Sequence, residues 1–185
     1  MKRIHYNSPV VLTFVLLSLL ALVLDAATGG VSTQKLFCVY RSSLWDPLTY
    51  PRMFLHVLGH SGFSHFSGNM LLLLVVGPPL EEKYGSRRLL ITMGITALVS
   101  GLVQWICFPG IALLGASGIV FMMIVLSSFA GKKNGAVPLT LLLVVVFYLG
   151  KEAVSAVTAT DNISHLTHLI GGICGSVFGF RFAKK

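Results

Sequence analysis

The chain has 185 residues, 55% of them hydrophobic and only 11% charged, with a net charge of +8 and a mean hydropathy of +0.84. Soluble domains carry about a quarter charged residues, so the composition excludes a soluble fold, and the length holds about six spans of roughly 20 residues with no room for a separate soluble domain. The basic residues stand in scattered pairs between apolar runs rather than in a stripe interleaved with aromatics, which reads as a topology signal and excludes a nucleic-acid surface.

Six apolar runs follow in order, at 9–27, 64–80, 89–108, 111–130, 136–150 and 163–182, and predict an all-α membrane protein with a single membrane-embedded domain over 1–185. The first run, with Lys2 and Arg3 before it and Ala26-Ala27 near its end, also has the pattern of a cleavable signal peptide. Its length favours a retained span. With the N-terminus inside, one side collects Lys2, Arg3, Lys83, Arg87, Arg88, Lys132, Lys133, Arg181, Lys184 and Lys185, and the other Lys35, Arg41, Arg52 and Lys151. Positive charge marks the inner side, so both termini are expected to be cytoplasmic in a cell-membrane location. The segment 25–60 is then a large outer loop between the first two spans, rich in Trp45, Pro47, Tyr50, Pro51 and Phe54, and expected to fold onto the membrane surface.

Polar residues inside spans are costly and are therefore functional candidates. The second run opens with His65, and Asn69 follows one helical turn later on the same face. The stretch 89–131 has no Asp, Glu, Lys or Arg, yet it contains Ser117 within Gly115-Ala116-Ser117-Gly118. Gly-x-Ser-Gly alone describes close helix packing as readily as catalysis. The sixth run contains His165 and His168. In the topology above the second, fourth and sixth spans all start at the outer surface, which brings Ser117, His65, Asn69 and His168 to one depth. A serine needs a base to become a nucleophile, and an oxyanion needs oriented donors; each role has a candidate here.

Gly171, Gly172, Gly175 and Gly179 form a stripe centred close to His168, with His165 about 60° away. Small residues admit a close neighbour, so His168 is expected to face the helix of Ser117. Among the outer-side carboxylates only Asp161 shares the His168 face, about two turns away, which favours a Ser-His dyad over a triad. His56, His60 and His65 have spacings that admit a metal-site reading, but no Asp or Glu stands among them. Cys38, Cys107 and Cys174 lack zinc-type spacing, and Cys38 with Cys107 are candidates for an outer disulfide.

Together these residues resemble the rhomboid family of intramembrane serine proteases, from about Arg52 to Gly175. Arg52 with His56 and His60, then His65-x-x-x-Asn69, is similar to that family's outer loop and second span. Gly77-Pro78 with Glu81-x-x-x-Gly85-Ser86 is similar to its turn into the third span. Gly115-Ala116-Ser117-Gly118 and His168-x-x-Gly171-x-x-x-Gly175 resemble its nucleophile and base motifs. The resemblance implies a six-transmembrane-helix bundle with Ser117 as nucleophile and His168 as general base. It also implies His65, Asn69 and the Ser117 backbone around the oxyanion, and structural roles for Arg52 and Glu81. Substrates would be single-span membrane proteins cut in or near the transmembrane segment, with no metal or other cofactor. Two positions depart from the family pattern: Pro51, where some members have Trp, and Phe121, where some have Tyr.

Water would reach the shallow site past Ser61, Ser64, Ser67 and Asn162, and the fifth span with 152–160 is expected to move to admit substrate laterally. A catalytically silent client-binding relative has no need of Ser117, His168, His65 and Asn69 together. A transporter would show more charged or broken helices at the midplane.

Overall fold

The structure, a computed structural model, describes residues 6–130, 139, 143 and 162–183. Three of its helices are long and apolar enough to cross a membrane: α1 (Pro9–Thr28), α3 (Phe63–Tyr84) and α4 (Ser86–Cys107). Between α1 and α3 lie a π-helical turn (Thr33–Phe37), the short helix α2 (Thr49–Leu55) and a 3-10 turn (His56–Leu58). Two further helices complete the described part, α5 (Ser117–Ala130) and α6 (Asn162–Ala183). Of the expected fifth span only Leu139 and Leu143 are described, both helical and exposed. The rest of 136–150, and 152–160, lie outside the described residues.

One carboxylate ties α1 to the bundle. Pro9 opens α1 with a preset φ and no N–H to satisfy, and the next two amides, Val10 and Val11, donate to the two oxygens of Glu81 at 2.9 and 3.0 Å. Ser86 Oγ donates to the same carboxylate at 2.7 Å. Glu81 is buried near the end of α3, so a negative charge caps the positive end of α1. Nearby, Val11 packs against Gly77 so closely that a β-carbon there would meet Val11 Cγ2 at 2.7 Å. A single residue, Gly85, joins α3 to α4 at φ +83°, a conformation that L side chains rarely adopt.

The segment between α1 and α3 is an ordered layer, held by a buried arginine. Arg52 donates from Nε to the Lys35 carbonyl and from NH1 to Asp46, both at 2.8 Å, and its guanidinium lies 4.7 Å from the centre of the Tyr40 ring. The Leu48 amide first, and Arg52 with it, hold the Asp46 carboxyl below its ordinary pKa. Beneath this layer α2 rests on α4, where Gly101 leaves room for the Met53 backbone.

The fourth apolar run is not helical from its first residue. The sequence pattern begins at 111, but α5 begins at Ser117. Val39 and Leu113 exchange both backbone hydrogen bonds, at 2.9 and 2.8 Å, in an isolated antiparallel bridge, and Gln104 Nε2 donates to the Ile111 carbonyl at 2.8 Å. Apolarity at 111–114 signals burial, and the backbone partners decide the conformation. All three cysteines are free, Cys38 buried and Cys107 exposed, so the outer disulfide is not formed.

Helices α5 and α6 form the tightest contact. A β-carbon on Gly171 would meet the Gly118 carbonyl carbon at 3.1 Å and the Met122 amide nitrogen at 3.2 Å. One on Gly175 would meet the Met122 oxygen at 2.5 Å, and Gly179 abuts the Phe129 ring. The stripe read from the sequence is therefore the face on which backbone meets backbone.

Candidate functional site

Ser117 is the first residue of α5 and is half-buried. The chain reaches it through Gly115 at φ +125°, whose amide donates to the His56 carbonyl at 2.9 Å. The first bond into α5 runs from the Val120 amide to the Ala116 carbonyl, so the Ser117 N–H has no acceptor within the helix. Orphan amides of this kind favour negative charge at a helix start. Ala116 is wholly buried, and Gly118 packs against Thr167 of α6, with a β-carbon position 2.9 Å from the Thr167 methyl.

His65, in the first turn of α3, closes the site from one side. The Gly115 β-carbon position is 2.9 Å from both Cε1 and Nε2 of its ring. On the far edge of the ring, Nδ1 lies 3.1 Å from Ser61 Oγ and receives the Ser61 amide at 3.5 Å. An amide N–H can only donate, so this contact favours the tautomer in which Nδ1 accepts and Nε2, on the edge beside Gly115, carries the proton. Asn69, one turn further along α3, is buried, and its Nδ2 has no hydrogen-bond partner among the described residues. An unpaired buried amide costs on the order of 1–3 kcal/mol.

His168 approaches on α6. Its ring centre is 6.0 Å from that of Phe121, with the planes tilted by 55°, and Phe121 in turn packs on Gly172, whose β-carbon position is 3.0 Å from the Phe121 ring. Phe121 lies one turn after Ser117. The described residues thus bring Ser117, His65, Gly115, Phe121 and His168 to the adjoining ends of α3, α5 and α6. The side chain of His165, and Asp161, lie outside the described residues.

Two histidines behind His65 complete the wall. His60 is buried, donates from Nδ1 to the Leu58 carbonyl at 3.0 Å, and meets the His65 ring edge-on at 5.0 Å between centres. His56 is buried with the Arg52 and Met53 carbonyls near its ring, and neither ring nitrogen makes a well-formed hydrogen bond among the described residues. Burial lowers the pKa of His56 to about 4, against the pull of the Arg52 and Met53 carbonyls. Burial, and then the neighbouring His65, lower that of His60 to about 4. Both rings are neutral at pH 7. No group of three His, Cys, Asp or Glu suited to a metal ion occurs among the described residues.

Two features lie outside what the sequence reading gives, the Ser61 contact to His65 Nδ1 and the edge-on support from His60. The i, i+4 spacing of Ser61 and His65 was the available signal for the first. The second depends on the reversal of the chain at Gly62 and leaves no periodic trace.

The sequence profile of the rhomboid domain matches residues 47–185. Rhomboid-related protein 1 of Caenorhabditis elegans is 30% identical over 150 residues, which is 76% of this chain and 40% of that protein. Rhomboid protease GluP of Bacillus subtilis (strain 168) is 27% identical over 159 residues, 83% of this chain and 31% of that protein. The chain therefore spans less than half the length of these curated relatives. Every element described around Ser117, from Arg52 to the glycine stripe of α6, falls within the matched residues, and the chain belongs to the rhomboid family of multi-pass membrane proteins.

Proposed function

We propose that the chain is an intramembrane serine endopeptidase that cuts single-span membrane proteins in or near their transmembrane segments. The observation that carries this reading is a pair of donors beside a serine: the Nε2 edge of His65 against Gly115, with Nδ2 of buried Asn69, unpartnered among the described residues, one turn away. Unsatisfied donors are costly in a resting fold and useful where negative charge develops.

Ser117 Oγ attacks the scissile carbonyl carbon and gives its proton to an imidazole nitrogen of His168. The new oxyanion accepts from the Ser117 N–H, His65 Nε2 and Asn69 Nδ2. Collapse of this intermediate breaks the C–N bond, and His168 returns the proton to the departing amine. Water, deprotonated by the same imidazole, then releases the acyl group and regenerates Ser117. Phe121 packs on the His168 ring and limits its orientation. The excess of basic residues near one set of span ends supports cytoplasmic termini, with the site opening to the opposite side.

The test is reconstitution with a fluorophosphonate probe and a single-span test substrate. Ser117→Ala is expected to abolish both labelling and cleavage, and His168→Ala to abolish cleavage while His165→Ala leaves it intact. His65→Ala and Asn69→Ala are expected to slow turnover by roughly 10- to 1,000-fold. Labelling that persists in Ser117→Ala refutes the nucleophile. A wild-type protein that binds substrate without cutting it identifies a silent, client-binding relative.

A further inference from the structure

At the end of the bundle remote from Ser117, α4 and α6 leave a groove of about 350 Å³. Its walls are Ile91 and Ile95 of α4 and Val177 and Phe178 of α6, and its rim carries Arg88 and Arg181. Ile91, Ile95 and Val177 are all exposed. The Arg88 guanidinium lies over the Phe182 ring, 5.8 Å from its centre, which holds the charge at the rim.

Neither arginine has a carboxylate partner among the described residues, where the one ion pair joins Arg52 to Asp46. The two acidic groups nearest to Arg88 in sequence are committed or turned elsewhere. Glu81 holds the start of α1, and Glu82 lines a separate polar recess with Pro79 and Gly85. Lys83 adds to the positive charge of this end and donates to the Ala130 carbonyl.

We propose that this groove binds an anionic phospholipid, with one acyl chain between α4 and α6 and the phosphate held by Arg88 and Arg181. A membrane surrounds these helices, so a lipid is the ligand present in excess. Apolar walls take a chain, and two forked guanidinium groups match a phosphate. The charge selects the headgroup. A zwitterionic choline lipid brings the same phosphate but adds an ammonium to a site that already holds two cations, whereas phosphatidylglycerol adds none. The site is independent of peptide hydrolysis and stands whether or not Ser117 is a nucleophile.

The test is native mass spectrometry of the full chain in a non-ionic detergent, titrated with phosphatidylglycerol or with phosphatidylcholine of matched chains. Phosphatidylglycerol is expected to be retained at about tenfold lower concentration. Arg88→Gln/Arg181→Gln should erase that preference, and Arg88→Lys/Arg181→Lys should keep part of it. Val177→Trp, which fills the groove and leaves both arginines, should weaken phosphatidylglycerol retention. Glycerol 3-phosphate and inorganic phosphate should fail to displace the lipid. Equal retention of the two lipids by the wild type overturns the proposal, as does a preference that survives the double Gln change. Displacement by inorganic phosphate at equal concentration refutes the lipid in favour of a bare phosphate site. If the double variant does not fold, Arg181→Gln alone, at an exposed position on the last turn of α6, is decided by the same comparison.

Discussion

The Nε2 edge of His65 lies directly against the backbone of Gly115, so that a β-carbon at 115 would stand 2.9 Å from both Nε2 and Cε1. Position 115 also has φ +125°. His65 can therefore lie this close to the start of α5 only because residue 115 has no side chain.

Gly115→Ala is expected to destabilise the fold by about 1–3 kcal/mol through backbone strain, and to lower turnover further by displacing His65. Thermal unfolding in detergent and kcat on a cleavable substrate measure the two effects. Wild-type turnover in the folded variant would show that the His65 edge is not part of the site.

Phe121 packs beside the His168 ring, with centres 6.0 Å apart. An aromatic pair contributes about 0.5–1.5 kcal/mol beyond its buried area, so Phe121→Leu should lower kcat by roughly 2- to 10-fold with KM nearly unchanged. Phe121→Tyr should retain activity. A change confined to KM would assign Phe121 to substrate contact instead.

The glycines divide sharply by what a methyl group would meet. Gly171→Ala and Gly175→Ala drive a carbon into the α5 backbone at Gly118 and Met122, and each should cost about 1–3 kcal/mol. Gly94, within α4, has nothing within 4 Å of its β-carbon position, so Gly94→Ala should stabilise by about 0.5–1 kcal/mol. Equal effects at 94 and 171, read as unfolding midpoints, would contradict the close α5–α6 contact.

Acid should loosen the layer around His56 and His60. Their folded pKa values, about 4, lie below the unfolded value of 6.5, so above pH 6.5 both states are neutral and stability is complete. As pH falls from 6.5 towards 4 the unfolded chain takes up protons first, and up to about 3 kcal/mol per ring is lost. Unfolding midpoints between pH 7 and 4.5 should fall for the wild type and fall less for His60→Phe. An identical decline in both would assign the acid sensitivity to other groups.

Much of the candidate site is legible in the sequence, because membrane chemistry makes polar residues conspicuous. Ser117, His65, Asn69 and His168 stood out against apolar runs, and the stripe at 171, 172, 175 and 179 pointed His168 towards α5, where its ring now meets Phe121. The apolar pattern begins at 111, six residues before α5, for the same reason. Apolar 111–114 looks like span to a hydropathy window, whereas the Val39–Leu113 bridge makes it loop.

Composition and periodicity by themselves determined the membrane class, the positions of α1, α3, α4 and α6, the facing of the glycine stripe and the residue types able to do chemistry. These are properties of single segments, written in one-dimensional spacing. Only the tertiary structure decided that Ser61 meets the Nδ1 edge of His65, that Asn69 Nδ2 is left without a partner among the described residues, that Glu81 caps α1 and that Arg52 joins Asp46 to the Lys35 carbonyl. Each of these is a hydrogen-bond account closed, or left open, between segments distant in sequence, and no local pattern reveals where a buried donor finds its acceptor.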